Sequence, residues 1–315
     1  RPLTLPYYRD AAMARWVERM VSEHGIERAL VYSSAMAQYL TGPGFGTMRR
    51  FIDFVDVDSD KWRQYAEKKR WPMNRVYRRE AARLLEYERA VAERFDAGFF
   101  VSREEAELFL QLTGGGLQRV TFYRNGVDID YFSDRRDYPD PFTGQGPALV
   151  FTGAMDYWPN EDAVTWFASD IFPRIRERWP AIEFHIVGGR PTERVRALSA
   201  IAGVKVAGRV PDVRPYLAHA RAVVVPIRVA RGIQNKVLEA MAMAKPVVVT
   251  AMGLEGIGAR DGTEVLVADD AEAFSDRLDR VLSGAVEAMG ARAREKVVRE
   301  FSWEQTLPAV DGWIR

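Results

Sequence analysis

The sequence contains no cysteine. Disulfides, thiolate nucleophiles and Cys-ligated metals are therefore excluded together, which is compatible with a reducing compartment. Histidine is nearly as scarce. The three present, His24, His185 and His219, are scattered, and none has a partner at a spacing that recurs in metal sites. His185 falls inside a strand candidate, where a core role is the simpler reading. There is no excess of either charge: 45 Lys and Arg stand against 44 Asp and Glu, a formal net charge of +1. A global polyelectrolyte role such as wrapping nucleic acid is thereby excluded. No apolar run approaches the ~18–20 residues needed to span a bilayer, and no signal peptide opens the chain. The expected location is the cytoplasm. Also missing are a Ser–His–Asp set, a metal-ligand motif and a Walker loop. The chain starts at Arg1 rather than Met, as expected of a processed product, a trimmed chain or a fragment.

What is there is ordinary for a globular protein: 47% hydrophobic and 28% charged residues over 315 positions, enough for two domains. Short β-branched runs alternate with helical patterns throughout. Strands are expected at 29–33, 51–57, 98–101 and 120–123, then at 148–152, 183–187, 204–207, 222–226, 246–250 and 264–268. Several are continuous apolar runs, the mark of strands buried on both faces of a parallel sheet. Helices fit between them at 9–23, 74–94, 103–112, 161–178, 235–244 and 271–282. The alternation predicts an α/β fold with right-handed crossovers. The segment 133–147 is rich in Pro, Gly and Asp, lacks periodicity and reads as a linker. The expected organisation is a first domain over 1–140, a second, complete doubly wound domain over 141–300, and a C-terminal helix in 301–315 packing back on the first. Ligands lie at the carboxyl ends of such sheets, so two of them facing each other would form a cleft.

Charge is uneven locally. Between Lys61 and Arg94 eleven basic residues stand against five acidic ones, with Trp62, Tyr65, Trp71 and Tyr77 interleaved. Two readings fit: a surface for peripheral contact with anionic membrane through residues 61–94, or a solvated helix face with its aromatics turned inward.

The most informative stretch is 226–250, PIRVARGIQNKVLEAMAMAKPVVVT. A strand ends at Pro226, a loop with Gly232 follows, and a helix opens at Asn235 and Lys236. A glycine loop running into a helix N-terminus offers backbone N–H groups and the positive end of the dipole to an anion. Lys236 and Glu239, three apart, share nearly one helix face. A cation for phosphate beside a carboxylate for a vicinal diol is what a nucleoside diphosphate requires. An exposed Lys–Glu helix pair is the simpler alternative. In the first half, Asp53, Asp56 and Asp58 run along a strand and reach its end just before a helix expected to open at Ser59. Period two would put Asp56 and Asp58 on one face, where one could act in the cleft; capping of the next helix by Asp58 or Ser59 is the other reading. Asn160 and Asp212 read as helix N-caps.

The run 226–250 resembles the C-terminal signature of glycosyltransferase family 4, and three further stretches agree in order and spacing. VAGRVPDVRPYLAHARAVVVP (206–226) resembles the segment preceding that signature. FTGAMDYWPNEDAV (151–164) resembles the first strand and turn of the donor domain, and YRNGVDIDYF (123–132) the close of the acceptor domain. DFVDVDSDKW (53–62), the spaced Glu80, Tyr87 and Glu88, and FFVSREEAELF (99–109) resemble a bacterial subgroup associated with exosortase-linked exopolysaccharide loci. The resemblance implies the GT-B fold: two Rossmann-like domains facing a cleft, the first incomplete at its N-terminus. It further implies a retaining hexosyltransferase working without a required metal or other cofactor. The donor would be a nucleotide-diphosphate sugar, the acceptor a glycan or lipid-linked glycan, with no nucleic-acid partner. The site would lie at the inner face of the cytoplasmic membrane.

By the same resemblance, Glu239 would hold the donor ribose hydroxyls. The partner Glu of the family's E-x7-E motif falls at position 231, which here is Arg231; a guanidinium there would alter the sugar contact or add a diphosphate clamp. Gly232, Ile233 and Gln234 would lend backbone N–H groups to the diphosphate, with Lys236 as its cation. Gly153 would lie under the phosphates and Val210 beside the base. The family's basic pair after the first donor strand is absent from GAMDYWPN, so Arg228 and Arg231 are candidate substitutes, surface solvation being the alternative. Asp56 and Asp58 stand as acceptor-side candidates. Two rival functions remain on this scaffold: a sugar-nucleotide epimerase, and a non-catalytic nucleotide-sugar-binding or assembly subunit. The missing N-terminal βα units predict an unpaired strand edge and an exposed apolar sheet face.

Overall fold

The computed structural model describes residues 1–144, 146–229 and 232–315. The chain divides into two compact units, residues 1–125 with 306–315 and residues 126–305. The division falls ahead of the Pro- and Gly-rich 133–147 segment. That segment belongs to the second unit, where Phe142 packs 4.5 Å from the His185 ring.

The first unit is a parallel four-stranded sheet in the order β1 (Arg28–Tyr32), β2 (Arg49–Val55), β3 (Ala97–Phe100) and β4 (Val120–Phe122). Its helices are α1 (Thr4–Tyr7), α2 (Ala11–His24), α3 (Asp58–Lys68), α4 (Met73–Arg94) and α5 (Arg103–Leu112). The core lies where β2 and β3 meet α4 and α5. Phe54, Phe100 and Phe109 stack there with centroids 5.0–5.5 Å apart, each essentially removed from water. Strand β1 is an edge, paired only with β2, and leaves Leu30 and Tyr32 exposed.

The second unit is a parallel six-stranded sheet built from β5 (Ala148–Thr152), β6 (Glu183–Val187), β7 (Val204–Gly208), β8 (Ala222–Val225), β9 (Val247–Val249) and β10 (Leu266–Val267). The spatial order β10-β9-β8-β5-β6-β7 reverses direction between β5 and β8. This is the doubly wound order, whose switch point opens a crevice at the carboxyl ends of the two central strands. Strands β5, β8 and β9 are buried at every residue, which explains their unbroken apolar runs. The helices are α6 (Trp158–Trp166), α7 (Phe172–Arg178), α8 (Glu193–Ala197), α9 (Arg214–His219), α10 (Asn235–Ala242), α11 (Ala271–Leu282), α12 (Met289–Glu300) and α13 (Trp303–Thr306). A π-helical stretch, Phe167–Ile171, joins α6 to α7, so the single helix expected at 161–178 is one continuous rod with a wider turn in its middle. The last helix, α14 (Pro308–Ile314), belongs to the first unit, where Val310 packs against Phe51 and Phe99.

The strand expected to carry Asp53, Asp56 and Asp58 stops at Val55, whose φ of +70° breaks the pleat, and the register with β3 shifts between Asp53 and Val55. Asp58 instead opens α3, so period two does not relate it to Asp56.

Candidate functional site

At the switch point a cavity of about 710 Å³ opens within the second unit. Three strand ends build its floor. Gly153 N–H donates to Val187 O at 3.1 Å, Met155 N–H to Gly189 O at 2.9 Å, and Gly188 N–H to Gly208 O at 2.8 Å. The turns after β5, β6 and β7 are thus stitched into one surface. Glycine is required here for space: a Cβ on Gly188 would lie 1.7 Å from Gly153 O, and one on Gly153 would lie 2.7 Å from the Asn160 amide nitrogen.

The opposite wall is α10. Gly232, in the left-handed region at φ +68°, turns the chain toward the helix, and Ile233 anchors the loop in the core at 8% exposure. Gln234 stands at the N-cap, its side-chain amide donating to Gly232 O at 3.2 Å. The first turn then presents Asn235 and Lys236 to the cavity, and Glu239 follows one turn later. A helix start offers both dipole charge and N–H groups to an anion.

Lys236 is held from three sides. Its Nζ donates to Asn160 Oδ1 at 2.9 Å and to Gln234 Oε1 at 3.4 Å, and lies 5.2 Å from the Phe151 ring centroid. All three partners are uncharged. Burial pushes the ammonium down to about 8, with the negative charge of Glu239 opposing the shift. Glu239 is moved the other way, raised by burial against the pull of Lys236. Each group loses more to desolvation than its neighbour returns. The two charges face each other only in part, and both are turned to the cavity.

Of the residues singled out in the sequence, Gly153, Lys236 and Glu239 line this cavity together. Gly232, Ile233 and Gln234 shape the loop behind it. Val210, half-buried, packs against the core, and Val213 and Arg209 line the cavity. Arg228 lies outside the lining: its guanidinium makes a two-pronged pair with Asp162 at 2.8 and 3.0 Å and stacks 4.9 Å from the Trp166 ring. Arg231 lies outside the described residues. Asp56 and Asp58, in the first unit, both meet Lys61 Nζ, at 2.7 and 3.3 Å, and Asp58 also accepts from Ser34 Oγ at 3.2 Å.

The structure adds residues the sequence reading missed. Asn160, expected to cap a helix, lies inside α6 and bridges Lys236 to the turn after β5, its Nδ2 donating to Ala154 O at 2.9 Å. Thr152, 4% exposed, lines the cavity with a hydroxyl that has no partner among the described residues. Arg190 and Arg209 supply two further cations, Arg190 ion-paired with Asp156 at 2.9 Å. No signal short of the folded turns relates these positions, since they lie on three different strand ends. His185 has a structural role, its Nε2 2.9 Å from Glu183 Oε2 and its pKa lowered by burial. Among the described residues, no group of three or more His, Asp and Glu could hold a metal ion.

Residues 146–284, the span holding all of this cavity, match the family described as glycosyl transferases group 1. No curated protein matches the chain in sequence. Solved structures match nearly all of it. Sucrose-phosphate synthase from Thermosynechococcus elongatus aligns with a TM-score of 0.72 at 17% identity, over 95% of this chain and 76% of that one. Anabaena HepE in complex with UDP-glucose gives 0.72 at 14% identity, over 95% and 82%. TarM, also solved from S. aureus with UDP, gives 0.73 at 13% identity, over 96% of this chain and 58% of TarM. At these identities the likeness is one of fold, the two parallel α/β sheets of GT-B glycosyltransferases. The matched domain and the fold together support a glycosyltransferase of the GT-B type.

Proposed function

We propose that the chain is a retaining, metal-independent glycosyltransferase that uses a nucleotide-diphosphate sugar in bacterial exopolysaccharide synthesis. It works at the cytoplasmic face of the membrane on a glycan or lipid-linked glycan. The observation that carries this reading is that Lys236 and Glu239, on one face of α10, line one cavity with the glycine turn after β5. Lys236 Nζ is within hydrogen-bond reach of the neutral acceptors Asn160 Oδ1 and Gln234 Oε1, and the Lys236–Glu239 pair lines the same cavity as the Gly153 turn. The UDP and UDP-glucose complexes of Anabaena HepE support a nucleotide sugar as the ligand.

In this reading the diphosphate lies between the Gly153 turn and the start of α10, and Glu239 accepts hydrogen bonds from the ribose hydroxyls. Lys236 and the helix dipole stabilise the charge that develops as the anomeric C–O bond to phosphate breaks. The acceptor hydroxyl enters on the same face, its oxygen bonding to the anomeric carbon while its proton passes to the departing phosphate oxygen. The protein contributes positioning and electrostatics, and no side chain need act as nucleophile. Arg231 stands where the family resemblance expects an acidic sugar contact, which makes sugar choice the point of departure from that family.

Thermal shift with UDP-, GDP- and ADP-sugars tests donor binding, since a bound donor raises the unfolding midpoint by mass action. Transfer to a lipid-linked acceptor, followed with and without chelator, tests the rest. A product of inverted anomeric configuration, or an absolute need for metal, would overturn the mechanism; isomerised donor without transfer would point to an epimerase.

A further inference from the structure

The first unit carries a surface that the nucleotide-sugar reading leaves unused. Residues 68–79 hold six basic side chains, Lys68, Lys69, Arg70, Arg75, Arg78 and Arg79, and no acidic one. They form the end of α3, the turn, and the first two turns of α4. The flanking carboxylates are engaged elsewhere. Glu67 pairs with Arg63 at 2.7 Å, and Glu80 is buried at 1% exposure. Farther along α4 the exposed cations are matched, Arg83 by Glu86 and Arg89 by Glu93. Positive charge is therefore concentrated at one tip.

The aromatics of this segment divide in two. Trp62 packs on Tyr65 and Tyr77, with centroids 6.0 and 5.2 Å apart, between the helices. Trp71 does the opposite and is 74% exposed, with Met73 and Val76 also exposed beside it. Glu80 extends this apolar surface. Its carboxylate accepts from Leu3 N at 2.5 Å, Thr4 N at 2.8 Å and Thr4 Oγ1 at 2.7 Å, which pins the start of α1 against α4. Leu3 is thereby held beside α4, and Leu3, Tyr7 and Tyr8 are all exposed on this segment.

We propose that this tip docks on a bilayer surface rich in anionic phospholipid. The cations meet lipid phosphates, while Trp71, Met73 and Leu3 enter the boundary between headgroups and acyl chains. An exposed indole and aliphatic groups lose their unfavourable water contact there, and Lys and Arg stems can lie along the apolar layer with their charges outward. Nucleic acid would satisfy the cations but offers no comparable layer for Leu3, Met73 and Val76. The inference deepens the membrane location proposed above, and it can fail without touching donor binding, because none of these residues lines the cavity.

The test is co-sedimentation of the full chain with vesicles rich in phosphatidylglycerol, with phosphatidylcholine vesicles alone, and with duplex DNA, at low and high salt. Retention on the anionic vesicles should exceed that on neutral ones by about tenfold or more and weaken as salt screens the charges. The triple change Lys68→Glu, Arg70→Glu, Arg75→Glu should lower that retention by about tenfold or more. Trp71→Ala should lower it several-fold with the charges intact. Unchanged circular dichroism of both variants shows that the fold survives. No retention on anionic vesicles, retention indifferent to either variant, or capture by DNA in place of vesicles would each overturn the proposal.

Discussion

Lys236 Nζ donates to Asn160 Oδ1 at 2.9 Å, while the same amide donates through Nδ2 to Ala154 O at 2.9 Å. One neutral side chain thus ties the only described cation on α10 to the glycine turn after β5. The amide fixes where the ammonium lies without neutralising it, so its charge stays available to a ligand.

Replacing Lys236 by Ala should raise the donor dissociation constant by about tenfold or more, a loss of about 1.4 kcal/mol or more. Asn160→Ala should keep the charge and lose only its placement, for an increase of about threefold. Calorimetric titration of both variants with the donor that stabilises the wild type measures the two effects. Equal affinities for wild type and Lys236→Ala would remove this lysine from the site.

The pH dependence follows from the same environment. Burial lowers Lys236 to about 8, so the free protein carries the charged form at neutral pH and loses it above that point. A bound diphosphate holds the proton on, so the loss should appear in kcat/KM and not in kcat. We expect kcat/KM to be level below about pH 7 and to fall by about tenfold for each unit above about 8. Lys236→Arg, whose guanidinium keeps its proton, should flatten that descent. A descent that persists in this variant would assign it to another group.

Much of this architecture is legible in the sequence because burial on both faces leaves a signature at each position. Each of the ten strands overlaps an expected run, most directly the fully buried β5, β8 and β9, and α10 follows from the pattern around Gly232 and Lys236. The short helices α8 and α9, five and six residues long, give no such signal, since their periodicity barely completes a turn. Asn160 looked like a cap because the residue type favours caps, and only the fold brings its amide to Lys236. Thr152, Arg190 and Arg209 come together through turns on three strands, a relation that local spacing cannot express. The period-two spacing of Asp56 and Asp58 misled because an unusual backbone at Val55 ends the strand early. Asp53 itself turns inward, accepting from Tyr123 Oη at 2.5 Å.

Gly188→Ala should be costly to the fold. Its new Cβ would meet Gly153 O at 1.7 Å, a backbone atom that cannot yield without moving the turn after β5. We expect a loss of about 2–4 kcal/mol in the unfolding free energy of the second unit. Gly208→Ala is the control, since no atom lies within 4 Å of its Cβ and only its positive φ is penalised. Urea unfolding of the two variants should separate them, and similar midpoints would show that the strand-end stitching has room to relax.

Arg228 provides the opposite case. With Asp162 on both its prongs and Trp166 beneath it, the guanidinium is already committed, and it lies outside the cavity lining. Arg228→Ala should change the donor dissociation constant by less than about threefold while lowering thermal stability slightly, as the loss of a half-exposed pair does. An increase of about tenfold, matching Lys236→Ala, would return Arg228 to the phosphate site.

Glu88 sets a stability window for the first unit. It is 1% exposed, and its carboxylate accepts from Ser59 Oγ at 2.6 Å and Ser59 N at 3.3 Å. Burial, with repulsion from Asp58 second, pushes it up to about 8. A folded pKa above the unfolded one means that the native state binds the extra proton. The resulting stability is complete below about pH 4.5, the ordinary glutamate range, and is lost as pH rises through about 8. Glu88→Gln keeps an acceptor for Ser59 and removes the titration. Its unfolding free energy should therefore vary less than wild type between about pH 5 and 8, the difference reaching on the order of 2–4 kcal/mol. Urea unfolding of both proteins across that window, taken as a difference so that other titrating groups cancel, gives the slope. Parallel curves would mean that Glu88 remains ionised in the folded protein, with its charge met by Lys61, whose Nζ already pairs with Asp56 and Asp58.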